Sequence, residues 1–218
     1  MTSRRIGLVG GTFDPIHCGH IDIGRAAQEA LGLTTLFVIT ANTPPHRPPP
    51  IASAFHRFAM VATAVAQREG WRASDIELRQ GGPSFTSETL RRFRERGYAP
   101  EELFFILGAD AFGDIGEWKG YPALLDSASF VVVSRPGFPA RDLRRQLPAL
   151  APRMALMPLE VGAGASSTIL LIDAPTADVS STAIRQRCAD GRSIAGLVPV
   201  GVQQHIEQHG LYAATPPG

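Results

Sequence analysis

Apolar residues in this chain fall into short continuous runs separated by longer stretches of mixed polarity. The runs at Arg5–Gly10, Leu36–Thr40, Ser74–Leu78, Leu103–Gly108, Phe130–Ser134, Met154–Leu159 and Ile169–Asp173 predict strands. Several are rich in Val, Ile and Phe with no polar alternation, as in strands covered on both faces of a parallel sheet. Between them, Ile21–Leu31, Ser53–Arg68 and Ser87–Arg96 carry apolar residues at helical spacing, the last two following plausible N-caps. Strand–helix alternation predicts an α/β fold, a doubly wound, mainly parallel sheet.

The pattern changes near the C-terminus. The core sheet is expected over about 1–178 and a small helical portion over about 179–218, all within one domain. STAIRQRCADG and PVGVQQHIEQHG read as two short helices, with Gly191 and Gly210 at helix-ending positions and Pro199 at a first turn. Pro44–Pro50 reads as a stiff loop, and Gly162-Ala163-Gly164 as a hairpin turn between two late strands. At 218 residues the chain can bury a large core without disulfides or a structural metal. Its 44% apolar and 19% charged residues mark a globular composition. No apolar run approaches the ~20 residues of a membrane span, and the N-terminus lacks signal-peptide features, so a cytoplasmic location is expected. Cys18 and Cys188 are expected as free thiols. A net charge of +1 suggests neither a nucleic-acid nor a membrane partner. Lys119 is the sole lysine, so long basic contacts to phosphate fall to arginine.

The chemistry concentrates at residues 10–20, GGTFDPIHCGH. Glycines there let the backbone approach a ligand, Asp14-Pro15 sets a turn, and a helix starting at residues 18–20 offers unpaired N–H groups to phosphate. His17 and His20, three apart, fall on one side of that helix start. Imidazoles so placed donate to phosphate oxygens and carry developing charge. Zinc ligation or simple capping are the alternatives, but a zinc site wants more ligands than this segment supplies.

His17-Cys18-Gly19-His20 resembles the H-x-G-H motif of a nucleotidyltransferase superfamily with a Rossmann-like sheet. Its second signature, S-x-T-x-x-R, is matched by Ser180-Ser181-Thr182-Ala183-Ile184-Arg185. The resemblance extends to bacterial nicotinate-nucleotide adenylyltransferases through TANTPPHRP (40–48), SAFHRFAM (53–60), GGPSFTSETL (81–90), FFILGAD (104–110), Trp118, SRPG (134–137) and VSSTAIRQR (179–187). It implies transfer of AMP from ATP to nicotinic acid mononucleotide, giving deamido-NAD and pyrophosphate, with Mg²⁺ carried mainly by ATP phosphates and water and no protein metal ligands. It implies catalytic roles for His17, His20 and Arg185, and ATP or phosphate contacts from Gly10, Gly11, Thr12, Phe13, His46, Arg47, Ser181 and Thr182. Nicotinate-nucleotide contacts fall to Ser84, Phe85, Thr86, Asp110, Trp118 and Arg135. Homo-oligomer formation is left open.

The alternatives are a nicotinamide mononucleotide adenylyltransferase and a non-catalytic nucleotide-binding regulator on the same fold. No cation for a nicotinate carboxylate stands out in the sequence, and backbone donors would explain that. Three departures from the family pattern are visible: Glu88 where Asp is usual, Cys18 as a site for thiol reagents, and a long 157–173 segment. His205 and His209 share a face of the terminal helix and read as surface or packing residues.

Overall fold

The computed structural model describes residues 4–45, 48–158 and 169–214. Its seven strands are β1 (Ile6–Gly11), β2 (Thr35–Thr40), β3 (Trp71–Ser74), β4 (Leu103–Gly108), β5 (Ser129–Val133), β6 (Met154–Leu156) and β7 (Ile169–Ile172). They form one sheet in the order β3-β2-β1-β4-β5-β7-β6, and each adjacent pair runs parallel. The helices are α1 (Cys18–Leu31), α2 (Ala54–Val65), α3 (Thr86–Glu95), α4 (Ala109–Phe112), α5 (Leu143–Gln146), α6 (Ser181–Ala189) and α7 (Val200–Gln208), with short 3₁₀ turns between.

The apolar runs explain why the sheet lies between two helical layers. In β5, Val131 and Val133 face a core containing residues of α1, α2, α6 and α7, whereas Phe130 and Val132 face the core built with α3, α4 and α5. In β4, Ile106 faces the first core and its neighbours Phe105 and Leu107 the second. With period-2 side chains, a strand buried on both faces must be apolar throughout. Each such side chain contributes about 1.5–3 kcal/mol on burial.

Two expectations are corrected. The third strand is Trp71–Ser74, not Ser74–Leu78. At this sheet edge four residues suffice: Trp71 is buried while Arg72 faces solvent. The Ser74 hydroxyl accepts from the Ile76 amide and turns the chain, and Leu78–Gln80 is a 3₁₀ turn. The second correction concerns β6 and β7, which pair in parallel, so no hairpin turn can join them. Residues 162–164, read as that turn, lie outside the described residues.

The strand order reverses direction at β1. The chain steps outward through β2 and β3, then returns to place β4 on the other side of β1. The carboxyl ends of β1 and β4 therefore flank a crevice, where doubly wound sheets bind ligands. Arg57 on α2 braces its rim and is 1% exposed. It donates to the carbonyls of Ala52, Thr12, Ala41 and Asn42. Burial pulls its pKa down, but a guanidinium starts high enough to stay charged. The bond to the Thr12 carbonyl lies next to Phe13, which takes a left-handed conformation, φ 52°, that a non-glycine residue rarely adopts.

Replacing Arg57 by Met keeps the chain length but strips donors from buried carbonyls. The expected loss is about 3 kcal/mol in urea unfolding, and a loss under about 1 kcal/mol would show that water takes over the bracing.

Candidate active site

A cleft of about 470 Å³ opens over the β1/β4 crevice. Gly10, Gly11, Thr12, Phe13 and His20 line one wall, Ser84, Phe85 and Thr86 another, and Asp110, Trp118, Arg135 and Ser181 complete it. Residues expected from six separate segments of sequence thus meet around one space. Thr182 and Arg185 stand beside it without lining it, and His17 lies beneath it. His46 and Arg47 fall outside the described residues.

The first motif is built as a helix start. His17 is the N-cap of α1, with extended backbone, and is 2% exposed. Its ring stacks on that of His20, centroids 3.7 Å apart. The His17 amide donates to His20 Nδ1 at 3.3 Å, which makes Nδ1 an acceptor and leaves the proton of a neutral His20 on Nε2. The Phe13 ring meets His20 edge-on at 5.0 Å. Gly19 is required by space: a Cβ there would lie 3.2 Å from the Ala177 carbonyl and 3.3 Å from the His17 ring. Cys18 points away, its Sγ donating to the Gly196 carbonyl, and burial pushes its pKa up. That disfavours the reactive thiolate.

Burial, with the Arg135 guanidinium adding to it, lowers the His17 pKa to about 3. His17 is therefore neutral at physiological pH. Its Nδ1 is buried with no hydrogen-bond partner among the described residues, and so is Nε of Arg135. Unmet buried polar atoms cost about 1–3 kcal/mol each. Two of them beside one cleft mark a place where binding can recover that cost.

The second motif docks onto the first. Ser180, not Ser181, caps α6 by accepting from the Ala183 amide. Ser181 Oγ donates to the Pro15 carbonyl at 2.9 Å, and Arg185 donates to the Asp14 carbonyl at 2.8 Å and to Thr182 Oγ1 at 3.3 Å. Arg135 reaches the same junction by donating to the Val179 carbonyl. Both motifs are therefore fastened to the Asp14-Pro15 turn.

Asp14 itself is a residue that sequence reasoning took only for a turn former. Its buried carboxylate accepts from the Ile51 and Ala52 amides and from the Tyr212 hydroxyl at 2.7 Å. Burial, then this bond to Asp14, push the Tyr212 pKa up, so the phenol stays a donor.

On the opposite wall, α3 begins at Thr86 with Phe85 as N-cap and no side-chain cap. Ser84 is held just before it: its Oγ accepts from the Asn42 amide, and its amide donates to the Thr43 carbonyl. A helix start without a side-chain acceptor keeps amides available to an anion. Lys119, which the sequence did not single out for the site, lines the cleft with Nζ 4.4 Å from the centre of the Phe85 ring. Trp118 stands next to it, edge-on to Phe105. Glu77, also missed, lines this wall; Thr89 donates to its carboxylate, whose pKa burial raises. Asp110 and Arg135 converge above β4, and a Cβ on Gly108 would lie 2.4 Å from Asp110 Oδ1 and 3.0 Å from Arg135 Cγ.

Residues 8–187 match the Cytidylyltransferase-like family model. A Thermus thermophilus protein described as a probable nicotinate-nucleotide adenylyltransferase is 41% identical over 95% of this chain and 99% of its own length. A Roseiflexus protein with the same description is 42% identical over 97% and 100%. In fold, the chain matches a Plasmodium falciparum nicotinic acid mononucleotide adenylyltransferase complexed with NaAD, with a TM-score of 0.73 at 17% identity over 96% of this chain and 97% of that one.

The His17 environment sets a pH dependence of stability. Its folded pKa lies below the ordinary value of 6.5, so between pH 6.5 and about 3 the unfolded chain binds more protons. Stability falls across that window as pH drops, by up to about 1.4 kcal/mol per unit from this group. Urea unfolding at pH 7, 5.5 and 4.5 should therefore show a shallower fall for His17→Asn than for the parent; parallel curves would refute the neutral, buried imidazole.

With both motifs joined at one cleft and relatives of this identity along nearly its whole length, the chain belongs to the nicotinate-nucleotide adenylyltransferase family.

Proposed function

We propose that this cleft transfers AMP from ATP to nicotinic acid mononucleotide, forming deamido-NAD and releasing pyrophosphate. The carrying observation is the joining of His17-x-Gly-His20 and Ser181-Thr182-x-x-Arg185 at the Asp14-Pro15 turn, above the β1/β4 crevice. The incoming nucleotide attacks through a phosphate monoester whose second pKa is near ~6, so it needs no general base. What remains is alignment of that phosphate with the α-phosphorus and stabilisation of charge on the departing pyrophosphate.

The residues divide accordingly. Gly10–Phe13 bring the backbone against the nucleotide, and His20 donates its Nε2 proton in a hydrogen bond to a phosphate oxygen. His17, neutral beneath it, orients the His20 ring and contributes to the same phosphate grip. Ser181, Thr182 and Arg185 form the second grip on the triphosphate, with His46 and Arg47 contributing from the proline-rich loop. On the far wall, the α3 start at Phe85–Thr86, positioned by Ser84, receives the nicotinate carboxylate, and Trp118 stacks on the pyridine ring. Asp110 binds the substrate ribose and Arg135 the nucleotide. Mg²⁺, held by the ATP phosphates and water, would supply charge neutralisation there, with no protein ligand of its own. The donor set suits that arrangement, because the one carboxylate at the first turn, Asp14, is already engaged by two amides and a phenol.

Lys119 favours the acid over the amide substrate. It is a cation in the cleft wall beside the α3 start, and only the acid carries a negative ring substituent.

The test is pyrophosphate release from Mg-ATP with nicotinic acid mononucleotide, nicotinamide mononucleotide and phosphopantetheine supplied separately. Preference for the acid nucleotide is expected; equal use of the amide would overturn the specificity, and no release with any would favour a regulator. In the same assay, His20→Ala should lower kcat at least about 100-fold with KM changed only a few-fold, since its interaction belongs to the transition state. A kcat within a few-fold of the parent would remove that role. Lys119→Met should cut the acid-to-amide ratio of kcat/KM about 5- to 10-fold, the value of one charge pair in a partly wet site. An unchanged ratio would leave recognition to the backbone.

A further inference from the structure

The chain carries six histidines, and three of them gather away from the cleft. His56 sits in the first turn of α2, His205 on α7, and His209 is the C-cap of α7. His56 Nδ1 and His205 Nε2 are 3.1 Å apart. The His205 and His209 rings stack at 4.3 Å, and the His56 ring meets that of His209 at 4.9 Å. One ring nitrogen from each can be chosen so that all three lie within 4.8 Å of one another, the one such grouping of His, Cys, Asp or Glu among the described residues.

We propose that His56, His205 and His209 form a binding site for a divalent transition-metal ion of the Zn²⁺ class, separate from the nucleotide cleft. Three arguments carry it. The first is spacing: with Zn–N bonds of about 2.0–2.1 Å, a tetrahedral ion holds neighbouring nitrogens about 3.3 Å apart. The His56–His205 pair already has about that separation, at 3.1 Å, and a His209 nitrogen lies within 4.8 Å of both. The second is orientation. His209 Nδ1 stands 2.9 Å from the His205 carbonyl, so Nδ1–H donates there and the Nε2 lone pair is left to face a metal. Third, the donors are all imidazole, which suits Zn²⁺, Co²⁺, Ni²⁺ or Cu²⁺ and not the oxygen-seeking Mg²⁺ that accompanies ATP.

His209 is exposed, which leaves the fourth position to water.

The ion would tie α2 to α7 beside two contacts that reach the turn after β1. Next to His56 on α2, Arg57 grips the carbonyls of Thr12 and Ala41. Three residues past His209, Tyr212 donates to Asp14. Binding between α2 and α7 therefore stabilises those contacts without entering the reaction.

The test uses untagged, full-length protein stripped with EDTA. Zn²⁺ titration at pH 7.5 should load one ion per chain that His209→Ala does not load, with Kd at least about 50-fold weaker in that variant and in His205→Gln. Co²⁺ substitution should give visible d–d bands of tetrahedral intensity, lost in His209→Ala. Saturating Zn²⁺ should raise Tm by several degrees in the parent and by under one degree in His209→Ala. His209 is exposed at a helix end, so the variant retains the fold, checked by circular dichroism. Equal zinc stoichiometry and equal Tm shifts in parent and variant would place any bound ion elsewhere, on His17 or His20 for example, and overturn the proposal.

Discussion

The buried Asp14 turn is the constraint on which the rest of the site depends. Its carboxylate holds the amides of Ile51 and Ala52 and the Tyr212 phenol, while its carbonyl and that of Pro15 receive Arg185 and Ser181. One two-residue turn therefore fixes the loop after β1, the approach to α2, the start of α6 and the C-terminal segment. A buried carboxylate is tolerable only when its oxygens are matched by donors, as they are here. The arrangement has a cost of its own: Arg185 and Thr182 are engaged with the protein and with each other. In the proposed reaction they would add a phosphate to an existing network, so the site would be shaped before the nucleotide arrives.

Electrostatically, the cleft separates two tasks. On the β1 side of the cleft lies a pair of stacked imidazoles, the lower one held neutral by burial and by Arg135. A charged pair at that distance would repel itself, and the neutral state of His17 avoids that. On the far wall the anion-seeking elements are a helix start without a side-chain cap and Lys119. A reaction that needs no proton abstraction but must manage several phosphate charges suits this division.

Much of this was legible in the sequence because it rests on local rules. Runs of β-branched residues gave six of the seven strands to within a few residues, and glycine beside His17 and His20 announced a helix start at a ligand. The edge strand β3 was misplaced because four half-polar residues carry little periodic signal. Parallel pairing of β6 with β7 is a long-range property that a glycine-rich stretch cannot reveal. Asp14 and Tyr212 are 198 residues apart, and no local pattern links them. Arg57 was findable: it sits in the stripe Arg57, Met60, Val61, Ala64, Val65, the buried face of α2. A cation on that face must find several acceptors, and four carbonyls are what it finds. The His205–His209 spacing was visible as well, but His56 joins them only when α2 packs on α7.

The two distant motifs act as one unit through the turn between them. A double-mutant cycle on kcat/KM for His20→Ala and Arg185→Met tests this most directly. Coupled groups give a double variant scarcely worse than the more damaging single one. Losses that simply multiply, with folding intact, would mean that the histidines and the α6 arginine work independently and that the Asp14 turn is packing alone.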